Sequence, residues 1–200
     1  MPLESTAAAN SQGLGPGRLI VVSGPSGAGK TTLLKRMFAE CRRPLVASVS
    51  ATTRRPRPGE VDGVDYHFLS AGEFARRRAA GEFLECCEVF TRGDWYGTLL
   101  SEVTPSLAAG KWVVLEIDVQ GTLAVLERYP DAVTIFVLPA SYEELERRLR
   151  DRGTESEDAL ARRLATARRE LISAPCYRFR VVNDDLDRAV HEMCQIMDNC

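Results

Sequence analysis

The sequence predicts an α/β fold in which a parallel sheet is flanked by helices, and three observations predict it. Short β-branched runs recur along the chain, beginning with Arg18-Leu19-Ile20-Val21-Val22-Ser23, and read as strands buried on both faces. Segments of helical apolar spacing alternate with them. A glycine-rich turn, Gly24-Pro25-Ser26-Gly27-Ala28-Gly29-Lys30-Thr31, joins the first run to the first helical segment.

Taken in order, the first helix is predicted from about Gly29 to Cys41. Leu33, Leu34, Met37 and Phe38 lie on its inner face and Lys35, Arg36 and Glu40 on its outer face. Leu45 to Ser50 reads as the second strand. From Ala51 to about Thr98 the chain becomes turn-rich and charged, with short alternating segments such as Tyr66-His67-Phe68-Leu69 and Phe83-Leu84-Glu85-Cys86, which suggests an insertion carrying a small sheet. The alternation resumes with a helix after Ser101, a strand Trp112–Ile117, a helix from about Gly121 and a strand Ala132–Leu138. Ser141 and Glu144 form a capping box that opens the next helix, and Arg152-Gly153-Thr154 is expected to end it. A charged helix from about Ser156 to Leu171, a strand Phe179–Val182 and an amphipathic C-terminal helix complete the chain.

Bulk properties exclude several classes. A length of 200 residues suits one domain with room for small inserts. The formal charge of −2 and a pI near 5.8 remove the broad basic surface that nonspecific nucleic-acid binding requires, so no nucleic-acid partner is expected. No apolar run approaches the roughly 20 residues needed to cross a bilayer, and no membrane association is expected. Residues 1–17 lack the basic start and apolar centre of a secretory signal and are expected to form a disordered arm. The six cysteines (Cys41, Cys86, Cys87, Cys176, Cys194 and Cys200) contain no C-x-x-C pair, and His67 and His191 complete no zinc pattern. They read as reduced thiols in a cytoplasmic protein, the adjacent Cys86 and Cys87 as buried packing.

The turn from Gly24 to Thr31 matches G-x-x-x-x-G-K-[ST], the P-loop, and its setting between a strand and a helix is what that motif needs. The glycines let successive backbone N–H groups point inward. The helix that follows adds the positive end of its dipole, so the loop favours a polyphosphate. Gly24 to Thr32 are the candidate ATP-binding residues. Lys30 is expected to reach the β- and γ-phosphates, and the Thr31 hydroxyl to sit beside Mg²⁺. The bland alternative, a glycine turn that merely joins two elements, leaves the lysine and hydroxyl at their fixed positions unexplained.

After the second strand comes Ser50-Ala51-Thr52-Thr53-Arg54-Arg55-Pro56-Arg57-Pro58-Gly59-Glu60, whose planar guanidinium forks suit a phosphate held in one orientation, although a charge run is also an ordinary solvated face. Asp65-Tyr66-His67-Phe68, Glu85, Trp95-Tyr96-Gly97-Thr98, Glu116-Ile117-Asp118-Val119-Gln120-Gly121, Arg152-Gly153-Thr154 and Val182-Asn183-Asp184-Asp185 follow in sequence. With these pieces the chain resembles guanylate kinase over roughly residues 18–198.

The resemblance implies transfer of phosphate from ATP to GMP, giving ADP and GDP, in three parts: a P-loop core (18–50, 99–140 and 172–200), an inserted GMP-binding domain (51–98), and a lid with adjoining helices (141–171). It implies that Ser50, Arg54, Arg57, Tyr66 and Tyr96 hold the GMP phosphate and that Glu85, Thr98 and Asp118 read guanine. It further implies that Asn183 lies near the adenine, for which a turn residue is the alternative. The chain departs from the family pattern at Ala51, Cys86, Trp95 and Glu116, and in a segment about two residues longer between Glu85 and Tyr96. Chemistry supports the guanine reading separately: guanine N1–H and N2–H₂ are donors, which a carboxylate at Glu85 can accept and adenine cannot offer there.

Phosphoryl transfer needs alignment and charge neutralisation more than a nucleophilic side chain. The candidate catalytic groups are therefore cations, Lys30 and Arg54, joined by Arg148, Arg152 and Arg163, which the resemblance implies are lid arginines. Surface pairing with Glu144, Asp151 or Glu155 is the alternative for the lid arginines. Two other classes remain open at this stage, a guanylate-kinase-like module that only binds and a P-loop kinase for a phosphorylated sugar. The complete loop opposes the first, and Glu85, Thr98 and Asp118 oppose the second.

Overall fold

The structure, a computed structural model, describes residues 16–89, 93–151 and 157–200. Strand β1 (Arg18–Ser23) leads into α1 (Lys30–Glu40), followed by β2 (Leu45–Ala47), β3 (Ser50–Thr52), β4 (His67–Phe68), α2 (Ala71–Ala79), β5 (Phe83–Val89) and β6 (Asp94–Leu99). Then come α3 (Leu100–Ala108), β7 (Trp112–Glu116), α4 (Val119–Arg128), β8 (Val133–Pro139), α5 (Tyr142–Asp151), α6 (Glu157–Ile172), a 3₁₀ turn (Ala174–Cys176), β9 (Phe179–Asn183) and α7 (Leu186–Asn199).

Five parallel strands form one sheet in the order β2-β7-β1-β8-β9. Its strands lack polar alternation because helices cover both faces. Ile20 and Val22 of β1 pack with Val114, Ile135 and Val137 beneath α1 and α7, where Leu33, Met37, Met193 and Met197 are fully buried. Leu19 and Val21 point the other way, against Val113, Leu115, Val103 and Val125. A second sheet, ordered β4-β3-β6-β5, is antiparallel except for the β3–β4 pair. Its small core holds Ala51, Phe74, Phe83 and Leu99. Arg128 of α4 donates to the carbonyls of Phe83 (3.0 Å) and Leu84 (3.2 Å), tying the start of β5 to the main sheet's helix layer.

Three expectations change. The run expected as one strand over Leu45–Ser50 is two, because β2 pairs with β7 in the main sheet whereas β3 crosses to the second, where Ala51 is buried against Phe74. The insertion contains a helix, α2, that sequence reading missed. Its signal was present, since Ser70 to Glu73 is S-x-x-E and the Ser70 hydroxyl accepts from the Glu73 N–H at 3.1 Å. The cysteines are not all reduced. Cys41, at the end of α1, is bonded to Cys194 of α7, with Cα atoms 5.2 Å apart and 153 residues between them in sequence. Packing of α1 on α7 creates that proximity, which no local spacing could reveal. No helix among the described residues is long and apolar enough to cross a membrane.

Candidate active site

A cleft of about 570 Å³ opens beyond the carboxyl ends of β1 and β7 and continues to the second sheet. Crevices at that end of parallel strands are where α/β folds hold ligands. Its floor is the loop between β1 and α1. Gly24 (φ 147°) and Gly29 (φ 84°) adopt backbone conformations open to glycine, and a Cβ on Gly24 would strike the Val137 carbonyl oxygen. Helix α1 begins at Lys30 with no side-chain cap and no acidic residue in its first turn, so its leading N–H groups are left for an anion. Gly24, Ser26, Lys30 and Thr31 line the cleft, and Gly27, Gly29 and Thr32 line a hollow of about 150 Å³ beside it. Ala28 is buried, and the Pro25 carbonyl accepts from its N–H at 3.1 Å.

The loop is braced from several sides. The buried Asn183, last residue of β9, donates from Nδ2 to the Ala28 carbonyl at 2.7 Å and packs on Gly29. It thus supports the loop from behind and is not part of the cleft lining. Lys30 Nζ donates to the carbonyls of Gly24 (2.6 Å) and Pro25 (3.2 Å). Thr31 Oγ1 lies 3.5 Å from Glu116 Oε1. Arg163 of α6 donates to the Ser26 hydroxyl at 2.6 Å. Arg148 of α5 is held by Glu144 at 2.8 Å, with Nη1 3.6 Å from where a Gly29 Cβ would stand. Arg152 lies outside the described residues.

On the far side, Ser50, Tyr66 and Tyr96 line the cleft. The two tyrosine rings meet edge to face at 5.9 Å. Arg54 sits behind them with both Nη atoms on Glu60 (2.9 Å each), its Nε donating to the Tyr96 hydroxyl at 3.1 Å, and its Cζ 5.3 Å from the Tyr66 ring centre. Glu60 also accepts from the Arg57 N–H at 2.7 Å, while the Arg57 side chain is exposed. The Arg54 hydrogen bond first and the Arg57 N–H second hold the Glu60 carboxyl below the usual range, against desolvation, which acts in the opposite direction.

Glu85 and Cys87, two apart on β5, face the cleft, and Cys86 between them packs against the small core. Glu85 is 6% exposed and accepts from the Thr98 hydroxyl across the sheet at 2.7 Å, so Thr98 reaches the cleft only through it. Burial pushes the Glu85 carboxyl up to about 7; the Thr98 hydroxyl opposes the rise and the Asp118 charge adds to it. Asp118 caps α4, its Oδ1 accepting from the Gly121 N–H at 2.8 Å, and its Oδ2 is 3.5 Å from the Cys87 sulfur. Burial raises the Cys87 thiol well above its ordinary value, so it stays protonated at neutral pH. The expectation of simple packing therefore holds for Cys86 but not for Cys87.

A polyphosphate cradle and a carboxylate pair, the buried Glu85 and the partly exposed Asp118, thus share one cleft. The model of the family "Guanylate kinase" matches residues 16–200. A guanylate kinase of Rhodopirellula baltica is 57% identical over 183 residues, covering 91% of this chain and 88% of its own length. One from Rubrobacter xylanophilus is 54% identical over 181 residues, covering 90% and 93%. The chain belongs to the guanylate kinase family. Among solved structures, guanylate kinase from Anaplasma phagocytophilum superposes with a TM-score of 0.76 at 31% identity, covering 92% of this chain and 86% of the other.

Eight cleft residues of this guanylate kinase escaped sequence reading as contributors to a site, among them the titratable Glu60, Asp65, Cys87, Glu116 and Glu170. Glu60 and Glu116 stood inside segments already singled out, and strand alternation from Glu85 was a signal for Cys87. Glu170 on α6 carried no signal, because only the tertiary fold brings that helix to the loop.

Proposed function

We propose that this guanylate kinase transfers the γ-phosphoryl group of ATP to GMP, and to dGMP, giving ADP and GDP. The observation that carries the reading is one continuous cleft with Lys30 of an intact loop at one end and Glu85 beside Asp118 at the other. The loop's N–H groups and Lys30 bind and orient the donor phosphates. The carboxylate oxygens of Glu85 and Asp118 accept from guanine N1–H and N2–H₂, whereas adenine would leave these acceptors, Glu85 buried among them, without those donors. Ser50, Tyr66 and Tyr96 donate to the acceptor phosphate, with Arg54 and Arg57 supplying positive charge behind them. Arg148 and Arg163, already at the loop, neutralise charge developing on the transferred group, and Arg152 is assigned the same role on family resemblance. No side chain acts as a nucleophile, because the GMP phosphate oxygen attacks directly.

The donor set fits Mg²⁺. Thr31 Oγ1 and Glu116 Oε1 are hard oxygens 3.5 Å apart at the cradle, and no cluster of three or more Asp, Glu, His or Cys occurs among the described residues. That suits a cation held largely through nucleotide phosphates and water. Thr31 would hold it with Glu116 close by, and when bound it supplies charge neutralisation at the β- and γ-phosphate oxygens.

The deciding experiment couples ADP release to NADH oxidation, with ATP, Mg²⁺ and a panel of GMP, dGMP, AMP, UMP and ribose 5-phosphate. Turnover with GMP and dGMP alone is expected. Turnover with the sugar phosphate would assign a different kinase, and GMP binding without turnover would assign a binding module.

A further inference from the structure

Helix α6 meets the phosphate loop at Ser26. Arg163 and Glu170 are seven apart on α6, two helical turns, so they project from the same face. Between them on that face Ala167 is 1% exposed, in the cluster with Leu145, Leu149 and Leu160 that seats α6 against α5. The seat leaves the two long side chains directed at the loop. Arg163 donates to the Ser26 hydroxyl at 2.6 Å. Glu170 lines the cleft with Gly24, Ser26 and Lys30, its carboxylate facing the Ser26 N–H and within electrostatic reach of the Lys30 ammonium.

We infer that Glu170 is a positioning residue for ATP: by accepting from the Ser26 N–H it fixes the bend of the loop and, with Arg163 on the same serine, couples α6 to the phosphate cradle. The chemistry requires a fixed acceptor there. A loop rich in glycine has many backbone conformations open to it, and only one set points its N–H groups at a polyphosphate. Asn183 holds the loop at Ala28 from behind, Lys30 and the Ala28 N–H bond the Pro25 carbonyl, and the α1 helix continues the loop from Lys30. Between these, Arg163 holds the Ser26 hydroxyl and Glu170 stands at the Ser26 N–H. Burial and the Asp118 charge push the Glu170 carboxyl up, opposed by Lys30 and the Ser26 N–H, as for a group held in the cleft by those partners and not by solvent.

The inference rests on the kinase reading only in taking the loop's ligand to be ATP, and its test needs no acceptor. ATP affinity is measured by titration calorimetry on wild type, Glu170→Leu, Glu170→Ala and Glu170→Gln, followed by KM for ATP, KM for GMP and kcat. Losing a hydrogen bond to a charged acceptor is expected to weaken ATP binding about tenfold or more in the Leu and Ala variants. KM for GMP should stay within about twofold. Glu170→Gln keeps an acceptor oxygen and is expected to recover most of the loss, which distinguishes positioning from mere packing. Unchanged or tighter ATP binding in the Leu and Ala variants would overturn the inference, as would a Gln variant no better than Leu. If the Leu variant fails to fold, the Ala and Gln pair still decides. Should GMP prove not to be the acceptor, the ATP titrations stand unaffected.

Discussion

Glu85 is a carboxyl that the fold holds partly protonated, and that has a measurable price in stability. In the folded protein it titrates at about 7 against 4.5 in an unfolded chain. The folded state therefore binds more protons than the unfolded one between those values, and stability falls as pH rises through the window. Below 4.5 the penalty is absent; above 7 it is complete, and the span corresponds to about 3 kcal/mol. At 6% exposure, solvent screening does little to reduce it. Glu85→Gln keeps the acceptor for the Thr98 hydroxyl but has nothing to ionise, so its unfolding free energy should exceed that of wild type by up to about 3 kcal/mol at pH 8 and match it near pH 4.5. Urea unfolding of both proteins at half-unit intervals from pH 4.5 to 8 measures the difference, in which titrating groups distant from Glu85 cancel. The Gln amide also places donors against guanine donors, so the stabilised variant should lose GMP turnover by about a hundredfold. A difference between the two proteins that does not change with pH would refute the burial argument. A variant more stable at pH 8 but with wild-type KM for GMP would refute the role in guanine reading.

Lys30→Met should lower kcat by about a thousandfold in the coupled assay while leaving the thermal transition near that of wild type; retained turnover would remove Lys30 from the mechanism. Asn183→Ala orphans the buried Ala28 carbonyl, at a cost of about 1–3 kcal/mol in urea unfolding, and should raise KM for ATP more than KM for GMP. Joining residues 153 apart, the Cys41–Cys194 bond is worth about 5 kcal/mol by chain entropy, so calorimetry with dithiothreitol, or of Cys41→Ala, should show a lower Tm. Glu60→Gln frees Arg54 and should raise KM for GMP several-fold with KM for ATP unchanged; a lower KM would show that Glu60 competes with the substrate for Arg54.

Much of this was legible in the sequence because the signals were local. The loop from Gly24 to Thr31 declares itself by spacing, and β1 by a run apolar on both faces. What escaped depends on contacts between distant segments. Glu170 reaches Ser26 across 144 residues of chain, and Cys41 finds Cys194 only because α1 and α7 share a core. The split at Ser48 and Val49 is tertiary too: nothing in Leu45–Ser50 marks where pairing with β7 gives way to pairing with β6. Helix α2 is different, for its capping box was there to be read, but arginine-rich sequence without a long apolar face resembled a turn region.

The resemblance names Arg54 and Arg148 as candidate catalytic cations, with pairing to Glu144 the alternative for Arg148, and the fold gives each a carboxylate partner, Glu60 and Glu144. At first sight the pairing weakens a phosphate site, since the carboxylate cancels charge. The net effect depends on rotamer entropy. An unheld arginine loses up to about 2 kcal/mol of it on gripping a ligand, whereas a guanidinium already fixed by a bidentate carboxylate loses little more. Arg54 carries this furthest: Glu60 holds both its Nη atoms, and its Nε fixes the Tyr96 hydroxyl, which itself faces the cleft. In the proposed reaction this arrangement would deliver the positive charge to the acceptor phosphate through an oriented hydroxyl instead of by direct contact. Binding strength is exchanged for geometry, the quantity an in-line transfer between two phosphates requires.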